Sequence, residues 1–265
     1  MSLHTRGCSL ACLIVALLCP LCGCAATTGR ATGNAGDAPA FGWDRIGQAA
    51  VNAAASPATW IPAAGALAFQ AGHADQKVSD WASDTTPVYG SQHNAGRVSD
   101  MLLQSSGGAS VATILAVPMP AMGTALVAET GGGIFMRGLD NVIKQETGRT
   151  RPNGAGTVSF PSSHSAGAAL NTTLIYRNIE YLHLSSAATT VSQISLIGIS
   201  AATAWARVEA KQHYPSDVLA GAAIGHFFGV FITDAFLGGA LSPASVTPAV
   251  EVSRESLLVS LHWAF

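Results

Sequence analysis

The most informative part of the sequence consists of three short segments, KQETGRTRP (144–152), PSSH (161–164) and ARVEAKQHYPSD (206–217). They bring together three fixed cations, two hydroxyls, two histidines and one carboxylate: Lys144, Arg151, Arg207, Ser162, Ser163, His164, His213 and Asp217. Arginine presents a planar fork of donors that matches phosphate oxygens, and lysine adds a compact positive charge. Two histidines can divide nucleophilic attack from proton donation, because an unperturbed imidazole titrates near neutrality. This inventory favours a site for a tetrahedral oxyanion.

Prolines place two of these segments at the start of predicted helices. The residue before a proline is disfavoured in the α region, whereas proline itself favours the first helical position. His213 is therefore expected on the loop before a helix that starts near Pro215. Asp217 falls in the first turn of that helix, where its carboxylate could bind one imidazole nitrogen of His213 and fix the tautomer. The segment 160–164 has the same form, and its first backbone N–H groups are expected to point at an anion.

The three segments resemble the signature of the type 2 phosphatidic acid phosphatase (PAP2) superfamily, which also includes bacterial class A acid phosphatases and vanadium haloperoxidases. That signature reads K-x6-RP, then PSGH, then SR-x5-H-x3-D. Six residues separate Lys144 from Arg151, and five separate Arg207 from His213. Three more separate His213 from Asp217. The agreement of residue types, gaps and order makes the resemblance specific.

The resemblance implies a phosphate-binding set. Lys144, Arg151 and Arg207 would hold the phosphate oxygens. Ser162 and the backbone of Ser163 would add hydrogen bonds. The resemblance implies no metal and no cofactor; vanadate would be required only if the chain acted as a haloperoxidase.

The resemblance also implies a catalytic set. His213 would be the nucleophile that forms a phosphohistidine, Asp217 its orienter and His164 the general acid. Two positions depart from the signature, because Ser163 replaces the usual glycine and Ala206 replaces the usual serine. The Cβ of Ser163 could narrow the phosphate site, whereas Ala206 removes a minor polar contact. Since neither change deletes a catalytic group, we expect an intact site with an altered substrate range.

The composition indicates a membrane-associated protein or a very apolar helical bundle. The chain has 265 residues, of which 49% are hydrophobic and 11% are charged, against a typical charged share of about 25%. Its formal net charge is -2, and no patch combines basic and aromatic residues. Nucleic acid is therefore not an expected partner.

The N-terminal residues 1–24 have the pattern of a secretory signal. His4 and Arg6 precede an apolar run, and all five cysteines of the chain lie in this leader: Cys8, Cys12, Cys19, Cys22 and Cys24. The end of the leader, LCGC, resembles a bacterial lipobox, which would make Cys24 the lipidated first residue of the mature protein. Cleavage after Ala25 or Ala26 and an uncleaved membrane anchor are the alternatives. The small, polar residues 25–42 are expected to form a flexible tether.

The hydrophobic pattern predicts an all-α fold of six helices over residues 43–240, and the resemblance implies that they form a PAP2-like bundle. Six apolar segments support it: 46–73, 98–117, 121–143, 164–183, 187–206 and 216–238. In the tail, 241–265, alternating apolar residues predict a short β-hairpin. Residues 101–127 and 187–206 are uncharged and long enough to span a membrane, but they are rich in small residues, which insert weakly.

These features predict a metal-independent phosphatase that hydrolyses a phosphomonoester or pyrophosphate in the bacterial cell envelope, on the periplasmic side. A lipid anchor or apolar helices would hold it at the membrane, which favours a phosphorylated lipid as substrate over a small phosphate ester. The alternatives are a broad-range acid phosphatase acting on soluble esters, a vanadate-dependent haloperoxidase and a non-catalytic lipoprotein. The last is disfavoured because no residue of the catalytic set is damaged.

Overall fold

The computed structural model describes residues 42–237, 246–252 and 257–263. Eight α-helices follow one another in these residues: α1 Trp43–Ala55, α2 Pro57–Ala71, α3 Asp75–Thr85, α4 Gln92–Thr113, α5 Met119–Thr147, α6 Ser163–Ile179, α7 Ser186–Glu209 and α8 Pro215–Ile232. Short 3-10 turns follow α4 and α6, at Ile114–Ala116 and Glu180–Leu182. A π-helical turn, Thr233–Leu237, extends α8.

The region 42–237 is all-helical, as predicted, but the predicted count of six helices is wrong for the described residues. The apolar segment 46–73 is divided at Ser56, which has extended backbone (φ -60°, ψ 128°). Pro57 causes this break, because a proline disfavours the α region for the residue before it and then starts a new helix. Helix α3 escaped prediction because its polar sequence, DQKVSDWASDT, has no clear apolar stripe.

Local sequence signals fix the helix ends that surround the predicted site. Helix α5 ends at Gly148, whose left-handed backbone (φ 54°) costs glycine little. Helix α6 begins after Ser162, which caps the first turn with its side chain. Helix α8 begins after Tyr214 with Pro215 in the first position, and the Asp217 carboxylate accepts a hydrogen bond from the Tyr214 N–H at 2.9 Å. The signature residues therefore lie at helix ends.

Helices α6 and α8 approach to backbone contact along a stripe of three glycines: Gly221, Gly225 and Gly229. A Cβ at these positions would meet, in order, Ser162 O at 2.5 Å, the carbonyl oxygen of Ala166, and Thr173 Cβ at 2.6 Å. Because the contacts advance along both helices in the same direction, α6 and α8 are parallel. Their N-termini consequently lie side by side.

The main apolar core lies between α5, α6 and α8, and its members are Met136, Ala166, Leu170, Leu174, Phe228 and Ile232. Ile232 fills the space left by Gly132, where a Cβ would lie 2.6 Å from Ile232 Cγ1. A second cluster, of Ala82, Val208 and Val218, ties α3 and α7 to α8. Burying a side chain of the size of Ile, Leu or Phe is worth about 1.5–3 kcal/mol, so these clusters hold the helix ends in place.

Two helical stretches in the described part of the chain are long and apolar enough to cross a membrane, Ser186–Glu209 and Pro215–Leu237. The second is 61% buried within the bundle, whereas the first is only 6% buried. On α7, Val191, Ile194 and Ile197 are each at least 63% exposed. Helix α7 therefore presents an apolar face to the surroundings of the bundle.

The predicted hairpin of the tail falls partly outside the described residues. Two strands, β1 Val246–Val252 and β2 Leu257–Trp263, pair in antiparallel orientation. The predicted turn between them, 253–256, is not among the described residues. The hairpin as a whole and its packing on the bundle stay predictions.

Replacing Gly225 by alanine should destabilise the protein by about 3 kcal/mol, the upper end of the usual cost of overpacking, because the new Cβ would overlap the carbonyl oxygen of Ala166. The matched control is Gly198→Ala on α7, where nothing lies within 4 Å of an added Cβ. That change should stabilise by about 0.5–1 kcal/mol. Thermal unfolding of the full-length protein in detergent measures both, and equal stability of the two variants would contradict the close contact.

Candidate active site

Four helix ends and one loop meet at one end of the bundle. The C-terminus of α5 contributes Lys144, the loop 148–162 contributes Arg151, and the C-terminus of α7 contributes Arg207. The N-termini of α6 and α8, with the loop before α8, contribute the remaining predicted residues: Ser162, Ser163, His164, His213 and Asp217. Hydrogen bonds join α5 to the loop and the loop to the start of α8. The structure thus brings all the predicted site residues to the same end.

The imidazole of His213 is buried, with 2% of the residue exposed. Its Nδ1 lies 2.7 Å from the carbonyl oxygen of Ser159. Because a carbonyl oxygen can only accept a hydrogen bond, Nδ1 carries the proton, and Nε2 of the neutral ring is unprotonated. Burial lowers the pKa of His213 to about 4, and the positive charges of Arg207 and Lys144 add to this lowering, while Asp217 opposes it. At neutral pH the ring is therefore neutral, with an unprotonated Nε2.

Asp217 reaches His213 less directly than the sequence suggested. Its Oδ2 lies 3.7 Å from Nδ1 of His213, an ion-pair distance that is too long for a hydrogen bond. The same oxygen accepts hydrogen bonds from Ser159 Oγ at 2.5 Å and from the Tyr214 N–H at 2.9 Å. Since the carbonyl of Ser159 binds the imidazole, Asp217 positions the ring mainly through Ser159.

Two of the predicted cations, Lys144 and Arg207, are buried, Arg151 is half-buried, and all three are partly paired. Lys144 is 8% exposed; its Nζ donates to the carbonyl oxygen of Pro161 and lies 3.6 Å from Asp140 Oδ2. Arg151 donates to Gln212 Oε1 at 2.5 Å. A buried cation that keeps only part of its hydrogen-bonding capacity filled retains an attraction for an anion.

Two guanidinium N–H groups lack an acceptor within the part of the chain that the structure describes. The Nε atoms of Arg151 and Arg207 are both buried and unpaired there. The Nη1 of Arg207 does donate, to Ser99 Oγ on α4 at 3.1 Å. Burying a donor without an acceptor is costly, so two unpaired cationic donors beside His213 fit an anion that bonds to both.

The two serines of the PSSH segment turn away from solvent. Ser162 is fully buried, and its Oγ accepts a hydrogen bond from Ser165 N at 3.4 Å as the cap of α6. Ser163, which replaces the usual glycine, donates from its Oγ to Asp140 on α5. Asp140 is also the partner of Lys144. The hydroxyl of Ser163 is thus held towards α5.

Arg149 was missed by the reading of the sequence, although it lies two residues before Arg151. Its Nη1 donates to Asp217 Oδ1 at 2.6 Å and to Ser216 Oγ at 2.7 Å, and its Nη2 donates to Asp75 Oδ2 at 2.8 Å. The guanidinium also lies 4.2 Å from the centre of the Tyr214 ring. Arg149 therefore ties the start of α3 to the start of α8. In the sequence, only its position just before Thr150-Arg151-Pro152 could have indicated that Arg149 belongs to the site.

His164 has a carboxylate partner that lies outside the three segments. Its Nε2 is 2.8 Å from Asp100 Oδ1 on α4. Burial lowers the pKa of His164, and Arg207 and Arg151 lower it further, while Asp100 opposes these effects. No spacing in the sequence linked Asp100 to the PSSH segment, so only the fold shows this contact.

Some predicted features lie outside the described residues. Cys24, the proposed lipidation site, and the leader 1–24 are among them. In the described ranges, no group of three or more His, Cys, Asp and Glu side chains is arranged to hold a metal ion.

Part of the chain is similar in sequence to a bacterial protein. Over 147 residues the chain is 34% identical to a protein named lipid A 1-phosphatase from Porphyromonas gingivalis. The aligned region covers 52% of this chain and 31% of that protein, so the chain matches about a third of its length.

A solved structure shows the same fold. The crystal structure of a transmembrane PAP2 type phosphatidylglycerolphosphate phosphatase from Bacillus subtilis aligns with a TM-score of 0.51 at 20% identity. The alignment covers 71% of this chain and 94% of the solved one. Residues 125–237 match the family model of the PAP2 superfamily. These residues run from the second turn of α5 to the end of the bundle and carry all three signature segments. Over this region, the chain is similar to the PAP2 superfamily.

Proposed function

We propose that the chain is a metal-independent phosphatase that hydrolyses a phosphomonoester or pyrophosphate of a lipid through a phosphohistidine. The feature that supports this function most directly is the unprotonated Nε2 of His213 near two buried cations, Lys144 and Arg207, and the half-buried Arg151. Two of those cations, Arg151 and Arg207, each keep a buried N–H without an acceptor among the described residues. A neutral nucleophile next to unpaired cationic donors suits attack on a phosphorus that carries anionic oxygens.

The reaction would proceed in two steps. In the first, Nε2 of His213 attacks phosphorus, the bond from phosphorus to the leaving oxygen breaks, and His164 gives that oxygen a proton. Lys144, Arg151 and Arg207 stabilise the charge on the remaining oxygens. In the second, water gives a proton to His164 and attacks phosphorus, which releases phosphate and restores His213.

The parallel arrangement of α6 and α8 supports the same site. Each helix carries a partial positive charge at its N-terminus, and the glycine stripe places the two N-termini side by side. Anions bind well at such ends because the first backbone N–H groups have no partner within the helix.

A phosphorylated lipid is the proposed substrate. The apolar face of α7 and exposed Leu126, Val127, Ile134 and Phe135 on α5 suit contact with acyl chains. The names of the two similar proteins point to lipid A and to phosphatidylglycerolphosphate, both of which are phosphorylated lipids. A broad-range phosphatase for soluble esters is the alternative.

We further propose that residues 43–240 form the catalytic domain and that lipid on Cys24 tethers it to the periplasmic side of the cell envelope. The prediction can be checked by growing cells with labelled palmitate. Label should enter the wild-type protein and be lost in Cys24→Ala. Equal labelling of both would exclude this anchor.

The substrate class can be tested by phosphate release from phosphatidic acid, an isoprenyl pyrophosphate and a small chromogenic ester. The wild type and His213→Ala are assayed side by side in the same detergent. The proposal would be supported if the wild type released phosphate from the lipids and His213→Ala did not. Faster release from the chromogenic ester than from either lipid would favour the soluble-ester alternative, and no release from any would exclude a phosphatase.

Substitution of either histidine should stop turnover while the protein stays folded. His213→Ala removes the nucleophile and should reduce phosphate release to background. His164→Ala removes the proton donor and should cost about 10²- to 10⁴-fold in kcat. His93→Ala, an exposed position in the first turn of α4, serves as the control and should retain activity. Full activity in either site variant would contradict the assignment.

The low pKa of His213 predicts how activity depends on pH. Because attack requires an unprotonated Nε2, kcat/KM should rise with pH through about 4 and not through the ordinary histidine value of about 6.5. The measurement uses two esters whose phosphate groups have different pKa values. If the pH of the acid limb of kcat/KM differs between the two esters, the limb reports ionisation of the substrate. If the limb lies near pH 4 for both esters, it reports His213. An acid limb that stays near 6.5 would disagree with a buried, neutral ring.

Replacement of Arg149 by alanine should lower both stability and kcat, because Asp75 and Asp217 would be left buried without their cation. Loss of one partner from a buried ion pair costs roughly 3–5 kcal/mol. KM should change little, since Arg149 binds carboxylates and not substrate. Arg137→Ala, an exposed position on α5, is the control. Adding Asp75→Asn to Arg149→Ala should recover part of the stability but not kcat; recovery of both would refute a role in positioning Asp217.

A further inference from the structure

Helix α4 contributes two side chains to the site, although it lies before residue 125, where the family match begins. Ser99 accepts a hydrogen bond from Nη1 of Arg207 at 3.1 Å. Asp100, the next residue, lies 2.8 Å from Nε2 of His164 and 3.9 Å from Nη1 of Arg207. None of the roles proposed above uses Asp100.

The contact fixes His164 through one of its two ring nitrogens. Nε2–H donates to the Asp100 carboxylate, so Nδ1 is the nitrogen that remains for the leaving oxygen. The side chain of His164 is 27% exposed and that of Asp100 is 54% exposed. The pair therefore lies where the buried site opens to its surroundings.

Without the Asp100 carboxylate, positive charge would dominate the surroundings of His164. Arg207 at the end of α7 and Arg151 in the loop before α6 both disfavour a protonated imidazole. On α5, Asp140 bonds to the neighbouring Ser163 and to Lys144, and not to His164. Among the described residues, Asp100 is the carboxylate that hydrogen-bonds this ring.

We propose that Asp100 is a positioning residue for the phosphatase reaction, which binds Nε2 of His164, favours the protonated form of the imidazole and turns Nδ1 towards the leaving oxygen. The inference rests on the proposed function. In the first step the Nδ1 proton moves to the oxygen that takes the electron pair of the breaking bond. In the second step Nδ1 recovers a proton from water. Asp100 stays ionised and bound to Nε2–H throughout.

The role can be tested by comparing leaving groups. Octyl phosphate has a poor leaving group that needs a proton, whereas nitrophenyl phosphate has a good one that does not. Asp100→Asn should lower kcat/KM for octyl phosphate about tenfold, a fraction of the roughly 10²- to 10⁴-fold effect of a general acid. Its effect on nitrophenyl phosphate should stay within about twofold, because that ester requires little acid catalysis.

The same variant should change the pH profile. A nearby negative charge favours the charged imidazole, so removing it lowers the pKa of His164. Activity that needs a protonated His164 falls as pH rises through this pKa, and the alkaline limb of kcat/KM should therefore move to lower pH in Asp100→Asn. In Asp100→Glu, the alkaline limb of kcat/KM should stay at the pH found for the wild type. Asp80→Asn is the matched control, since Asp80 is also half-exposed and pairs with a cation, Lys211, at 3.5 Å.

A double variant separates positioning from other effects. If Asp100 acts through His164, then adding Asp100→Asn to His164→Ala should lower kcat/KM no further.

The proposal would be overturned if Asp100→Asn lowered KM equally for both esters and left the alkaline limb of kcat/KM in place. That result would show that Asp100 only competes with phosphate for Arg207. The proposal would also be overturned if the wild type released phosphate normally and Asp100→Asn had the same ratio of kcat/KM values for the two esters as the wild type. A wild type that releases no phosphate from these esters or from phosphatidic acid would refute the proposed function itself.

Discussion

The backbone contact between α6 and α8 is the constraint on which the rest of the site depends. A glycine at every fourth position of α8 removes the side chains that would hold the helices apart, so the two N-termini lie side by side. The segment with Ser162 and the turn with Asp217 are then close enough for Ser162 N to donate to Asp217 O at 3.0 Å. The proposed general acid, His164, lies in the first turn of α6, and the proposed nucleophile, His213, lies just before α8, so the packing of the two helices sets their separation.

Carboxylates partly neutralise the cations around this contact. Asp140 pairs with Lys144, and Asp100 contacts both His164 and Arg207. Buried cations without such partners would be costly. The pairing is incomplete, because the Nε atoms of Arg151 and Arg207 have no acceptor among the described residues. These donors are the ones that could bind an anion.

The sequence was sufficient for the parts of the site that depend on local chemistry. Proline, serine and glycine determine helix ends through backbone geometry, so the placement of the signature residues at helix ends could be predicted. The indirect link from Asp217 to His213 through Ser159 could not be predicted, because Ser159 lies on a loop whose path is set by tertiary packing. Asp75 and Asp100 also reach the site only through packing of α3 and α4, which share no spacing with the motifs. The division at Ser56 was overlooked because apolar periodicity continues across Pro57.

The Arg149 network has a consequence for the size of the folding unit. Asp75 stands at the first position of α3, yet it accepts hydrogen bonds from Arg149 and from the N–H of Ser216, the residue before Asp217. A fragment limited to residues 125–237 would keep every signature residue and still lose this carboxylate. The smallest piece of the chain that can hold its own catalytic geometry therefore begins at or before α3.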